Sequence, residues 1–307
     1  MLARTDASET YRICVEATAE FVASSGFTDV VIGLSGGLDS SVVATMAVDA
    51  LGAAHVHGIL LPGPYSSESS IADALQLAVN LDIKTSTMEI TDAFDVFADT
   101  FKESYGEPLH GLAAENTQAR CRMVLIMAAS NAFGWLMLNT GNKSEAAMGY
   151  STLYGDTAGA FAPIGGIYKS DVFELARWRN SLSEERGEIA PIPRNVLEKP
   201  PSAELSPDQT DEASLGADYK TIDRILAEYV EPASSGEDIM SLVEGAQGTS
   251  DEAAAALEDG SHADEEEPQG KRDDVACGHG LVKRIVKRYM ANEFKRKYEP
   301  PFPKIEY

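Results

Sequence analysis

The residues best able to do chemistry lie together in one short run, Gly33-Leu34-Ser35-Gly36-Gly37-Leu38-Asp39-Ser40-Ser41. Adjacent glycines permit positive φ and close backbone approach, so successive N–H groups can line one concavity at a helix N-terminus, where an anion is favoured. Serine hydroxyls can donate to phosphate oxygens, and Asp39, an acceptor when ionised, suits a hard cation bound with the phosphates. The run lacks the Gly-Lys-Ser/Thr ending of a Walker A loop, so it is a cradle of another kind. A glycine turn closed by an Asp/Ser helix cap would use the same residue types. The flanking elements favour the cradle.

Those elements alternate. Asp29–Leu34 is short, β-branched and bounded by glycine, as a buried strand should be, and the segment from Ser40 reads as a helix ending at Gly52. The pattern repeats with 55–62 as strand, 69–81 as helix, 84–90 as strand, 119–133 as helix and 135–139 as strand. An opening helix carries Tyr11, Cys14, Val15, Thr18, Phe21 and Val22 on one face and stops at Gly26. Strand–helix–strand order implies parallel strands with right-handed crossovers, hence a doubly wound α/β sheet, Rossmann-like, with ligands at the C-terminal ends of its strands.

After Tyr168 the pattern becomes helical and irregular, with prolines through 191–207 and a further helix over 218–230. Residues 232–274 contain no Phe, Trp or Tyr, and 232–270 hold eleven Asp/Glu and no Lys/Arg. Such a stretch buries too little apolar area to order itself, so 232–274 reads as a mobile acidic insertion in one domain made of 1–231 and 275–307. The final helix sets Leu281, Val282, Ile285, Val286 and Tyr289 on one face, and 281–297 hold seven Lys/Arg against one Glu.

The formal charge of −24 excludes general nucleic-acid binding, which needs a basic footprint. No apolar run approaches the roughly 20 residues of a membrane span, and the N-terminus lacks signal-peptide order, so a cytoplasmic protein is expected. Cys14, Cys121 and Cys277 form no CxxC pair and read as reduced structural thiols, with no disulfide or zinc framework.

The SGGxDS run resembles the pyrophosphate loop of the ATP pyrophosphatases, which cleave ATP between its α- and β-phosphates and share an adenine-nucleotide α-hydrolase-like sheet. Further strings, Glu115-Asn116-Thr117-Gln118-Ala119-Arg120-Cys121-Arg122, Asn139-Thr140-Gly141-Asn142-Lys143-Ser144-Glu145, Tyr154-Gly155-Asp156, Lys169-Ser170, Pro201-Ser202-Ala203-Glu204 and Gln209-Thr210-Asp211-Glu212, together resemble NAD synthetase over about 29–230 and again at 292–303. The resemblance implies that Gly33 to Ser40, Thr140, Lys169 and Ser202 contact ATP and that Asp39 and Glu145 hold Mg²⁺. It implies that Asp39, Glu145 and Lys169 are catalytic, and that Asn116, Arg120, Tyr150, Leu153 and Lys295 meet deamido-NAD. It further implies a homodimer and a ligase that adenylates deamido-NAD with ATP and amidates it with ammonia.

Three positions depart from the ammonia-dependent bacterial enzymes, which carry Lys at Leu153, Asp at Ala160 and His at Phe294. The strings around Tyr154, Lys169 and Phe294 resemble instead the synthetase domain of glutamine-dependent enzymes. Only 28 residues precede Asp29, against on the order of 100 for a glutaminase domain. Nitrogen is therefore expected as free ammonia or from a separate glutaminase subunit. Two rivals remain: another amidating or thiolating ATP pyrophosphatase, and a nucleotide sensor that has lost turnover.

Overall fold

The computed structural model describes residues 2–207, 209–233, 235–244 and 278–307. Four parallel strands, β1 (Val30–Gly33), β2 (Val56–Leu60), β3 (Lys84–Thr87) and β4 (Leu136–Met137), lie in the order β3-β2-β1-β4. Alternation along β1 decides the layering. Val30 and Ile32 enter the core beneath helices α1 (Ala7–Ser24) and α2 (Leu38–Leu51), whereas Val31 enters a second apolar layer with Cys121, Met123 and Ile126 of α5 (Gly111–Phe133). The sheet is thus covered on both faces, as the doubly wound expectation requires. The chain runs outward from β1 to β3 through α3 (Glu68–Leu81), then returns past α4 (Thr91–Tyr105) and α5 to place β4 on the other side of β1. That reversal opens a crevice at the C-terminal ends of β1 and β4.

Beyond β4 come α6 (Lys143–Met148), α7 (Lys169–Glu185), α8 (Arg194–Glu198), α9 (Asp211–Leu215), α10 (Tyr219–Tyr229), α11 (236–244), α12 (His279–Ala291) and α13 (Glu293–Arg296). Most of these build a separate apolar cluster in which Ile222, Ile225, Leu226, Ile285 and Val286 are buried. Residues 236–244 of the acidic stretch join it: they are helical, and Ile239 and Val243 are buried there. The low average apolarity of 232–274 conceals these two anchors one helical turn apart. The remainder of that expected insertion, 245–274, and Cys277 lie outside the described residues, while Cys14 and Cys121 are free and buried.

Three further differences have local causes. Helix α4 was not anticipated because no residue of it is fully buried, which weakens the periodic signal. Helix α5 starts at Gly111 rather than Ala119, its first turns being mostly solvent-facing. Strand β4 keeps only two residues in the sheet, but Leu138 continues its line through a parallel bridge to Phe161. No described helix is long and apolar enough to cross a membrane.

The end of the sheet opposite the crevice is fastened by polar and aromatic contacts. His57 Nε2 lies 2.9 Å from Asp29 Oδ1 and Thr28 Oγ1 donates to Oδ2 at 2.7 Å, while the His57 ring stacks 3.8 Å from that of Trp135. The His57 and Thr28 hydrogen bonds pull the Asp29 carboxyl down to about 2. Its unfolded-state value is about 3.9, so the stabilisation is fully present above that pH and is lost as pH falls through the folded value. Asp29→Asn should therefore lower the thermal midpoint at pH 6, and the gap to the parent protein should close between about pH 4 and pH 2. Scanning fluorimetry across that range measures both.

Candidate active site

The crevice opens into a cavity of about 360 Å³ whose floor is the turn from β1 into α2 and whose walls come from the segments after β2 and β4. Gly36 adopts φ +77°, and a Cβ there would fall 2.0 Å from the Ser70 carbonyl oxygen, so only glycine lets this turn press against α3. Gly37 N donates to Ser35 Oγ at 3.2 Å, Ser35 and Ser40 hydroxyls lie 3.0 Å apart, and Ser41 Oγ donates to Gly37 O at 2.8 Å. Gly37 caps α2 with no side-chain acceptor for the first-turn N–H groups, which leaves a helix N-terminus facing the cavity.

Lys169, 3% exposed, stands at the centre. Its ammonium donates to Asp39 Oδ2 in a short contact and lies 3.4 Å from Glu145 Oε1. Three elements deliver these groups: Asp39 from the first turn of α2, Glu145 from the first turn of α6, Lys169 from the start of α7. Asn142 links two of them, accepting from Glu145 N at 3.0 Å and donating to Asp39 Oδ1 at 3.2 Å. Fully buried Asp223 of α10 links the other pair. Ser144 Oγ donates to its Oδ1, Ser170 N donates to its Oδ2 at 2.8 Å, and Lys169 N donates to Ser144 Oγ at 2.8 Å. Burial raises Asp223 to about 6, against the pull of these donors.

Burial also pushes Glu145 up to about 8, opposed by Lys169 and reinforced by Asp39 and Asp211. Burial alone would lower Lys169, but the combined attraction of Asp39 and Glu145 wins and keeps it firmly protonated. Asp211, at the start of α9, is likewise raised by burial; it receives the Tyr219 hydroxyl at 3.0 Å on Oδ2, while Oδ1 is buried with no hydrogen-bond partner. Three carboxylates therefore surround one ammonium.

Of the residues expected to meet ATP, Gly33, Leu34, Ser35, Gly37, Leu38, Asp39, Ser40, Thr140, Lys169 and Ser202 all line this cavity. Gly36 shapes the turn from behind. Ser202 belongs to a strap over 199–207 and 209–210: its hydroxyl donates to Gln209 O at 2.6 Å, and neighbouring Glu204 (φ +49°) receives Ser67 Oγ at 2.8 Å and Ser70 Oγ at 2.7 Å.

The residues expected to meet deamido-NAD converge on one loop. Only Tyr150 lines the cavity. Lys295 Nζ donates to Gly149 O and Ser151 O at 2.7 and 2.6 Å, Asn116 Oδ1 accepts from Thr152 Oγ1 at 2.7 Å, and Arg120 Nε donates to Leu153 O at 3.2 Å. Of the three departures, Leu153 is half-buried on this loop, Ala160 packs partly on the main core, and Phe294 is exposed.

Sequence reasoning missed Asn142, Asp211 and Asp156 as site residues, although each lies inside a string already singled out. Asp156 is positioned by Asn139, whose Nδ2 donates to Asp156 O and Ala158 O at 2.7 and 2.8 Å. Asp223 carries no local signal at all, because only tertiary structure brings α10 under α6 and α7.

A divalent cation fits the donor set in part. Asp39 and Glu145 reach one common point, now held by the Lys169 ammonium. Among the described residues no three His, Cys, Asp or Glu side chains are placed to hold a metal. Two carboxylates completed by phosphate and water oxygens match Mg²⁺, which is rarely bound by protein alone.

A family described as NAD synthase matches residues 10–267. The chain is 48% identical over 233 residues to a glutamine-dependent NAD(+) synthetase of Thermotoga maritima, covering 76% of this chain and 40% of that one. Among solved structures, an NH3-dependent NAD synthetase of Campylobacter jejuni superposes with a TM-score of 0.61 at 27% identity, covering 95% of this chain and 96% of that one. An NMN synthetase of Francisella tularensis gives 0.64 at 28% identity, covering 78% and 91%. The chain spans less than half the length of the curated relatives it matches.

Removing the central ammonium should leave Asp39 buried without its partner cation. Lys169→Met is expected to destabilise the protein by about 3 to 5 kcal/mol, and adding Asp39→Asn should recover roughly half of that loss. Urea titration of the parent, single and double variants measures it.

Proposed function

The chain belongs to the NAD synthase family, and from that premise we propose that it is an ammonia-dependent ligase making NAD from deamido-NAD and ATP, with release of AMP and pyrophosphate. The observation that carries the reading is the buried Lys169 held by Asp39 and Glu145 beside a glycine cradle at the sheet's switch point.

An amide cannot form directly from a carboxylate at neutral pH because oxide is a poor leaving group. In the proposed first step a nicotinate carboxylate oxygen attacks the α-phosphorus of ATP, the bond to the bridging oxygen breaks, and pyrophosphate leaves into the Gly33–Ser40 cradle, with Thr140 and Ser202 at its margins. Lys169 offers a positive donor as charge shifts to the departing phosphates. Mg²⁺, when held by Asp39 and Glu145, supplies further neutralisation of phosphate charge. Ammonia then attacks the acyl carbon, AMP departs with the former carboxylate oxygen, and the nitrogen loses a proton to give the amide. The loop carrying Tyr150 and Leu153 presents the dinucleotide, with Asn116, Arg120 and Lys295 acting through their hold on it. The strap bearing Ser202 keeps water from the acyl-adenylate.

The Campylobacter neighbour, named NH3-dependent and matched over 96% of its length, supports ammonia as the donor. A homodimer fits the surface of α4 and α5, where Val96, Phe97, Tyr105, Leu112 and Val124 are all more than half exposed.

Purified protein with Mg-ATP and deamido-NAD should form NAD, AMP and pyrophosphate with ammonium chloride and not with glutamine alone; absence of NAD with both donors rejects the proposal. Asp39→Asn and Glu145→Gln should each reduce that turnover at least about tenfold while circular dichroism stays unchanged. Phe97→Glu combined with Val124→Glu should convert a dimer to a monomer in light scattering; a parent protein that is already monomeric disposes of the dimer.

A further inference from the structure

The cavity must admit two anionic substrates, yet its walls are acidic. Six carboxylates line it, those of Asp39, Glu145, Asp156, Glu204, Asp211 and Glu299, against three cations, Arg122, Lys169 and Lys199. Two of the three cations are committed. Lys169 is shared between Asp39 and Glu145, and Lys199 Nζ is held by Asp73 Oδ2 at 2.8 Å and Ser70 Oγ at 3.0 Å.

Arg122 differs. It sits midway along α5, largely withdrawn from solvent, and its single hydrogen bond runs from Nε to Leu61 O at 3.0 Å. Among the described residues it forms no ion pair. Among the described residues neither terminal nitrogen has a partner, and Arg122 lines the cavity with Glu204 of the strap and Asp156 of the wall, whose fields it feels after that of its neighbour Cys121. Gly63 leaves room for the group: a Cβ there would fall 2.8 Å from Arg122 Nη2. Burial lowers Arg122 from the ordinary guanidinium range despite those acids, the mark of a desolvated cation whose partner is missing.

We infer that Arg122 is a substrate-binding residue whose free guanidinium edge grips a planar or tetrahedral oxyanion, either the carboxylate of the acceptor or a phosphate of the nucleotide. A guanidinium edge pairs with either group through two parallel N–H···O bonds, a geometry no lysine reproduces. Arg120, two residues away, is exposed and does not line the cavity, so it is not the cation placed for that task in this arrangement. The inference rests on the ligase reading for the identity of its two ligands.

Calorimetric titration of ATP alone and of deamido-NAD alone, with no turnover in either case, separates the sources. Arg122→Gln should weaken one ligand about 10- to 100-fold and leave the other within about threefold. Arg122→Lys should restore part of the loss, and added guanidinium should partly rescue Arg122→Ala, neither of which a purely structural role for the side chain would give. Loss on the ATP arm assigns the phosphate; loss on the deamido-NAD arm assigns the carboxylate. Unchanged affinity for both ligands, or equal weakening of both together with a lowered thermal midpoint, overturns the inference alone. Failure of the parent protein to bind either ligand overturns it together with the functional reading.

Discussion

Everything at the site depends on one buried ammonium group held between the carboxyl groups of Asp39 and Glu145. Burying Lys169, Asp39 and Glu145 costs several kcal/mol per ion, and their attraction repays it only if the geometry is tight. The surrounding structure supplies that geometry from a distance. Asn142 fixes Glu145 against Asp39, and Asp223 fastens the first turns of α6 and α7 to α10. The triad is a device for placing charge more than for adding stability. The carboxyl groups of Asp39, Glu145 and Asp211 all act on the Lys169 ammonium, and an arriving cation would favour their ionised forms.

The same geometry ties the cradle to its cover. Gly36 lies against the backbone of Ser70, whose hydroxyl is held by Glu204, and Glu204 N donates to Ser202 Oγ at 3.2 Å. Gln118 reaches from α5 to Leu205 O at 3.0 Å and pins the far side of the strap. A displacement of the strap is thus felt at the N-terminus of α3 and from there at the glycine turn. Glu204 accepts a positive φ to do this, a cost that non-glycine residues bear only where surrounding contacts determine the backbone.

How much of this was legible follows from what local sequence encodes. The sheet could be read because β1 and β2 are apolar runs between glycines and their crossovers are short. The cradle could be read because its requirements, two glycines and an acid at a strand-to-helix turn, are local. Helix α4 and the anchors Ile239 and Val243 could not, since a helix with an open face and two apolar residues in an acidic stretch both fall below the average that composition measures. Asp223 escaped for another reason: a buried aspartate on a helix looks like a surface one until the fold decides which side faces inward.

The basic C-terminal segment shows the same lesson with consequences for charge. Residues 281–297 hold seven Lys/Arg. In the fold, Arg288, Lys295 and Arg296 donate to the carbonyls of Met148, Gly149, Ser151 and Ala147, where α6 ends and the Tyr150 loop begins. Cations at a helix C-terminus satisfy exposed carbonyls and oppose the negative end of the dipole. Charge spent there holds the Glu145 helix and its loop in place. Positive charge that lines the cavity acts in a lower dielectric, where each uncommitted N–H counts for more than a lysine on the surface.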